Sequence, residues 1–329
     1  MVSFSAIRTS NSLIKSTFPA GLVAVFIGAT NGIGEVSLKT FAKYTHQPRA
    51  YFIGRSQDAG DRIAAECKAL NPGGEYIFKK ADVSLIRVVD EVCEEIKRKE
   101  KSLNILFLSA GVLSMDHSET SEHVHLLASL NYYSRMRFIR NLLPLLKNAD
   151  TLRRVVTVGG GGKEGPLDTT DLPALRVPLP QIRGHLCSLI TLGLETVATT
   201  APGVSFVHDY PGTVLETALW RGKGGPPQAA IDTLVPIEES GERHVYLATS
   251  AKYPSLVKEN AAVQLGDVDS VALDTRGKLG GGLYSIGWDC ESVAPLELLA
   301  EFREKDMVKA VWQHTESEFT RIGELNRGL

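Results

Sequence analysis

The sequence predicts an α/β fold, a doubly wound parallel sheet of about seven strands flanked by helices, on three observations. Strand-like apolar runs alternate with helix-period segments from residue 22 to residue 207. The first run, LVAVFI at 22–27, passes through Gly28, Gly32 and Gly34 directly into a helical pattern. The later runs end in Gly, Ser or Asp, residues that turn a chain at a strand end.

Taken in order, the six apolar residues of 22–27 read as a buried strand, and Ile33, Phe41 and Tyr44 belong to the helix after it. A second strand at 49–53 ends at Gly54-Arg55-Ser56, and a helix over 59–70 is stopped by Asn71-Pro72-Gly73-Gly74. Residues 75–80 alternate as a third strand, ending at Asp82-Val83. Ser84 is placed to cap a helix in which Leu85, Val88, Val89, Val92 and Ile96 fall at helical spacing. The fourth strand, 104–108, leads through Ser109-Ala110-Gly111 to one long helix over 119–146. The fifth, 154–158, runs into four glycines at 159–162, and Pro180 opens a helix through 198. The sixth, 204–207, precedes His208-Asp209-Tyr210-Pro211-Gly212. Beyond it lie a Gly/Pro-rich stretch at 220–228 that reads as a mobile lid, a helical period at 236–249, a last strand at 283–286 and a helix over 295–322. No low-complexity linker divides these parts, so residues 21–329 are read as one domain. Residues 1–20 carry Arg8 and Lys15 and no acid; this is a thin presequence, and the segment is read as packing on the domain.

Composition narrows the class. With 329 residues, 43% hydrophobic and 22% charged, the chain is an ordinary globular one. Its net charge of −2 gives no reason to expect nucleic acid or an anionic membrane as partner. Cys67, Cys93, Cys187 and Cys290 lie far apart with no C-x-x-C, which predicts a reducing, cytoplasmic setting with neither disulfides nor a metal site. No apolar run reaches the roughly 18–20 residues a bilayer span requires.

Strand, glycine turn and helix together aim backbone N–H groups and a positive helix end at a phosphate. Here the spacing is G-x-x-x-G-x-G, over Gly28, Asn31, Gly32, Ile33 and Gly34. Asp82-Val83, Ser109-Ala110-Gly111, Asn131 ahead of Leu142-Leu143-Pro144, and Pro211-Gly212-Thr213-Val214 with Thr217 follow in order, each near a strand end or on the intervening helix. In these motifs the chain resembles the short-chain dehydrogenase/reductase family over almost its whole length, and Ala310-Val311-Trp312 resembles the closing helix of its retinol-dehydrogenase-like members. The resemblance implies a Rossmann-type domain whose cofactor residues are Gly28, Asn31, Gly32, Ile33, Gly34, Arg55, Ser56, Asp82, Val83, Ala110, Gly111, Asn131, Pro211, Gly212, Val214 and Thr217. It also implies a homodimer or homotetramer paired through the helices of Asn131 and His185. An acid at the end of the second strand would take the ribose hydroxyl of NAD, whereas Arg55 suits the 2′-phosphate of NADP(H), which is therefore the expected cofactor.

The pattern breaks at the chemistry. The family implies a Ser after the fifth strand and a Y-x-x-x-K at the next helix; this chain has Gly160, Gln181 and His185 there, and no Tyr between Tyr133 and Tyr210. Gln181, His185 and Ser188 lie at i, i+4 and i+7 and share a helix face. Asn131, His185 and Gln181 are thus the catalytic candidates: His185 as a proton donor that titrates near neutrality, Gln181 as a hydrogen-bonding group, Asn131 by the resemblance. Against this, a His near a helix start also serves as a satisfied structural residue. Glu164, Asp168 and Asp171 in the insertion 163–176 are acids of a kind loops use for turns, and Tyr210 is the nearest phenol. Three functions stay open: an NADP(H)-dependent oxidoreductase acting on a small carbonyl, imine or alcohol, in a secondary-metabolic setting by the resemblance to fungal members; a redox-neutral cyclase, isomerase or dehydratase keeping NADP as a structural floor; and a non-catalytic nucleotide-binding protein.

Overall fold

The computed structural model describes residues 1–327 except 115, 218–219, 221–224, 227–232, 258–260 and 267–269. Seven strands, β1 (Val23–Ile27), β2 (Arg49–Gly54), β3 (Glu75–Lys80), β4 (Ile105–Leu108), β5 (Arg154–Val158), β6 (Ser205–Asp209) and β7 (Leu283–Ile286), form one sheet. Its order is β3-β2-β1-β4-β5-β6-β7 and every pairing is parallel. The order reverses between β1 and β4, the switch point where such sheets open a crevice at their C-terminal edge.

The period of two along a strand builds two cores. In β1, Val23, Val25 and Ile27 enter the layer shared with α5 (Ile86–Lys99), α7 (Ser134–Lys147), α8 (Leu179–Thr200) and α11 (Met307–Arg327). Ala24 and Phe26 enter the opposite layer with α3 (Gly32–Tyr44), α4 (Gln57–Leu70) and α9 (Ile237–Thr249). The N-terminal helices α1 (Phe4–Ser12) and α2 (Ile14–Thr17) bury Ile7 and Ile14 in that second core, and the Asn11 amide donates to the Glu242 carboxylate on α9 at 2.7 Å.

Three expectations need correction. The helix expected over 119–146 begins later and is interrupted: α6 (Leu126–Ala128) passes through a π segment, Ser129–Tyr133, into α7. The residues before it have another use, because the buried Glu122 carboxylate accepts the Ile86 and Arg87 N–H groups at 2.6 and 3.0 Å and so caps α5. Ser84, expected in that role, instead donates its hydroxyl to Asp82. The C-terminal helix breaks at Asp306, whose φ of 55° is left-handed, giving α10 (Leu296–Glu304) and α11. The expected lid at 220–228 lies mostly outside the described residues; Trp220, which is described, donates its indole N–H to the Val214 carbonyl at 3.1 Å.

Helix α11 covers α8 and the π segment. Thr315 meets Tyr132 Oη at 2.5 Å and His314 meets Tyr133 Oη at 2.6 Å. Val311, Phe319 and Ile322 are buried there, at about 2 kcal/mol each. Helix α11 thus packs on the helix of His185 and on the π segment that carries Asn131. Among the described residues no helix is long and apolar enough to cross a membrane, and the four cysteines are free and buried.

Candidate active site

The C-terminal edge of the sheet is shaped first by glycine. Gly28 follows β1 with φ of 83°, and a Cβ there would lie 2.5 Å from the Ala110 nitrogen after β4, so no other residue fits without displacing backbone. Asn31, in extended conformation, leads into α3, whose first turn holds Gly32, Ile33 and Gly34 and whose unpaired N–H groups face the crevice end. The Ser109 hydroxyl, where the family pattern has Asn, donates to the Ile27 carbonyl at 3.1 Å and ties β4 to β1. Thr217 packs on Gly32, its methyl 3.0 Å from where a Cβ would stand, which brings the Pro211-Gly212-Thr213-Val214 segment over the glycine loop.

The remaining cofactor candidates gather along the same edge. Arg55 is exposed at the end of β2 and has no carboxylate partner among the described residues, while Ser56 caps α4 through the Ala59 N–H. After β3, Val83 is buried and the exposed Asp82 holds its own turn, its carboxylate accepting from the Ser84 N–H and hydroxyl. Ala110 and Gly111 follow β4, and Gly111 lies beside the Asn131 side chain. These residues fit a dinucleotide in having a helix end for phosphate and a glycine turn packed too closely on Ala110 and Thr217 to carry side chains.

Asn131 sits in the π segment, donating to the Leu127 carbonyl at 2.9 Å. Its neighbour one turn on, Arg135, is buried, and sequence reasoning passed over it. The guanidinium donates to the carbonyls of Leu130, Ala110 and Val158 and to the Thr157 hydroxyl, at 3.1, 2.9, 2.5 and 2.7 Å, so one cation pins the ends of β4 and β5 to the widened turn. Burial pulls its pKa down to about 10, which leaves it charged at neutrality. A signal was present: Arg135 interrupts the apolar stripe of Tyr132, Ile139 and Leu142.

At the position where the family pattern has its Ser, a Cβ on Gly160 would lie 2.4 Å from Cys187 Sγ. The thiol of α8 fills that space, and burial pushes its pKa up to about 12, so it is no nucleophile. The Gly160 N–H is taken by His208 Nε2 at 3.0 Å; His208 Nδ1 meets Thr191, which donates to the buried Glu164, and Ser285 donates to Glu164 as well. Glu164 is thus a structural anchor.

The expectation for His185 is corrected by its surroundings. The ring is fully buried; Nδ1 accepts the Asp168 N–H at 3.2 Å and Nε2 donates to the Leu172 carbonyl at 3.0 Å. Ser188 likewise spends its hydroxyl on Gly165. The face shared by Gln181, His185 and Ser188 therefore holds down the strap 163–177, and only Gln181 is exposed. Asp171 caps the Leu175, Arg176 and Val177 N–H groups and Asp168 binds Thr170, both turn roles. Burial lowers the pKa of His185 and also of His125, so both are buried neutral. The unfolded chain binds protons that the native state does not, so stability is fully present above about pH 6.5 and declines as pH falls below it, by up to about 1.4 kcal/mol per pH unit for each ring. Urea melts across that range should show a shallower decline in His185→Asn than in wild type.

Also polar at this edge is Tyr210, half-buried before Pro211, with Lys163 and Arg183 beside it. A glycine turn after β1 and the N-terminal end of α3 thus meet at the switch point of a parallel α/β sheet. A family model described as short chain dehydrogenase matches residues 22–166. The chain is 37% identical to oxidoreductase AN1596 of Emericella nidulans, over 96% of this chain and 98% of that one, and 36% identical to oxidoreductase andH of Emericella variicolor over 98% of each. It therefore belongs to the short-chain dehydrogenase/reductase family of oxidoreductases. Among solved structures it is similar to an alcohol dehydrogenase from Thermococcus sibiricus complexed with 5-hydroxy-NADP, with a TM-score of 0.54, 21% identity and coverage of 74% of this chain and 94% of that one. The L-sorbose reductase of Gluconobacter frateurii, complexed with NADPH and L-sorbose, gives 0.54 at 20% identity, covering 80% and 97%. These likenesses show the shared fold.

Proposed function

We propose that this protein is an NADP(H)-dependent oxidoreductase of a small organic carbonyl, imine or alcohol that works without the family's Ser-Tyr-Lys triad. The observation that carries the reading is the glycine turn Gly28–Gly34 at the start of α3 with Arg55, and no acid, at the end of β2. The residues that would hold the cofactor are those of the glycine loop, Arg55, Ser56, Asp82, Val83, Ala110, Gly111, Asn131, Pro211, Gly212, Val214 and Thr217; Arg135 keeps the β4 and β5 ends and Asn131 in place. When bound, a nicotinamide supplies or removes a hydride. The two complexed solved structures hold NADP-type nucleotides and the fungal relatives are named oxidoreductases. A secondary-metabolic and cytoplasmic setting is part of the same proposal, on the resemblance of the sequence to fungal members and its four free cysteines. A homodimer or homotetramer is part of the same proposal, and pairing at α8 would have to accommodate α11, which packs on it.

Gly160, Gln181 and the buried His185 favour one second reading, a redox-neutral enzyme that keeps the nucleotide as a floor. A panel of carbonyls and imines separates the two. Loss of NADPH absorbance with product supports the oxidoreductase, and turnover at constant absorbance supports the second reading. For the cofactor, Arg55→Asp removes a charge-assisted contact worth about 1.5–3 kcal/mol and adds repulsion. NADPH affinity should fall more than tenfold with NADH little changed; equal loss of both would refute the 2′-phosphate role.

A further inference from the structure

Tyr210 lies between two positions that have lost their expected side chains. It follows β6, its N–H bound to the Ile286 carbonyl at 2.8 Å, and its ring is half-buried. Lys163 Nζ lies 5.1 Å from the ring centroid and the Arg183 guanidinium carbon 5.2 Å. Lys163 comes from the turn at Gly160, where its N–H donates to the Gly160 carbonyl at 2.8 Å. Its Cβ is 3.4 Å from where a Gly160 Cβ would stand. Arg183 comes from the first turns of α8, two residues past Gln181, and both cations are exposed. The phenol oxygen is 3.2 Å from Thr233 Oγ1, which is 3.4 Å from Thr213 Oγ1.

We propose that Tyr210 is the proton donor and acceptor of this enzyme, with Lys163 and Arg183 as the cations that stabilise its phenolate. This rests on the oxidoreductase reading. In the reductive direction the substrate C=O (or C=N) π bond breaks. The carbon gains its hydrogen and two electrons from reduced nicotinamide, the heteroatom gains a proton from Tyr210 Oη, and the phenolate recovers a proton from solvent at the exposed mouth. The nearby acids point into the interior: one oxygen of Asp209 faces His244 Nε2 at 3.1 Å, one oxygen of Glu164 accepts from Thr191 and Ser285, and the second oxygen of each is buried without a hydrogen-bond partner among the described residues. His208 is bound between Gly160 and Thr191. Among the described residues the phenol oxygen thus meets Arg183 from α8 and the hydroxyls of Thr213 and Thr233, while Lys163 from the turn lies over the ring. Burial pushes the phenol pKa up, but hydrogen bonds from Thr233 and Thr213 and the charge and hydrogen bonding of Arg183 outweigh it, and the group lies below the ordinary tyrosine value. The buried Tyr51, Tyr132, Tyr133 and Tyr253 and the half-buried Tyr76 are all pushed the other way, so Tyr210 ionises ahead of them.

The test reads the phenol directly. In a near-ultraviolet titration, the wild-type minus Tyr210→Phe difference should be one phenolate step at a pH below free tyrosine, and Arg183→Met should move that step upward. An unchanged curve in Tyr210→Phe, or a step that stays put in Arg183→Met, overturns the proposal. On a substrate that consumes NADPH, Tyr210→Phe should lose roughly 10²–10⁴-fold in kcat with NADPH affinity within a few-fold. Wild-type turnover in Tyr210→Phe would overturn the Tyr210 assignment alone. A wild-type protein that binds no NADPH would overturn the oxidoreductase reading and the assignment with it.

Discussion

Gly28→Ala is expected to cost the protein its nucleotide affinity and part of its stability together. The residue has φ of 83°, a conformation that costs an L-residue about 1–2 kcal/mol on its own. Steric contact adds more: the new methyl would stand 2.5 and 2.6 Å from the Ala110 nitrogen and Cα. Those atoms are backbone at the end of β4, which is paired to β1 through Leu108 and pinned by Arg135 through the Ala110 carbonyl, so they cannot swing aside as a side chain would. The glycine loop must move instead, and with it the first turn of α3 that would meet the phosphates. NADPH affinity, followed by its fluorescence, should drop at least tenfold, and urea melts should show a loss on the order of 2 kcal/mol. Wild-type affinity in this variant would mean that the loop is not the phosphate cradle.

Arg135→Met should be the most destabilising single change at the site. Replacing a buried charge together with its partners is often neutral, but here the partners stay behind. The Leu130, Ala110 and Val158 carbonyls would each lose a charge-assisted donor beside a buried side chain. Relief from the cost of burying the guanidinium, which pulls its pKa down to about 10, offsets part of this. The balance is an expected loss of about 3–5 kcal/mol, read from denaturant midpoints. Arg135→Lys, which keeps the charge and loses the fork, should fall between the two. A Met variant as stable as wild type would show that the strand ends do not depend on this cation.

The frame was legible in the sequence because it rests on short-range rules. The five apolar residues of β1, the glycines after it and the turn residues closing β2 to β5 each specify a local geometry, and the alternation of strand and helix then leaves one sheet. The active site was legible only in outline. Helical spacing correctly placed Gln181, His185 and Ser188 on one face, but spacing does not say what covers a face. The strap 163–177 does, and its main chain consumes both His185 nitrogens. Cys187 filling the room left at Gly160, Glu122 capping α5 from 36 residues away and the two cations on Tyr210 are likewise meetings of distant segments. Arg135 stood in plain view as one polar residue on an apolar stripe. The left-handed Asp306 that splits the last helix has no comparable local mark, since Lys305-Asp306 is ordinary on an exposed helix.

The most direct measurement is a fluorescence titration of the wild-type protein with NADPH and with NADH. Saturable enhancement is expected with NADPH, at least tenfold tighter than with NADH, because Arg55 stands where the second strand ends and no acid competes for it. No binding of either nucleotide, or a preference for NADH, would contradict the assignment of this edge as an NADP(H) site.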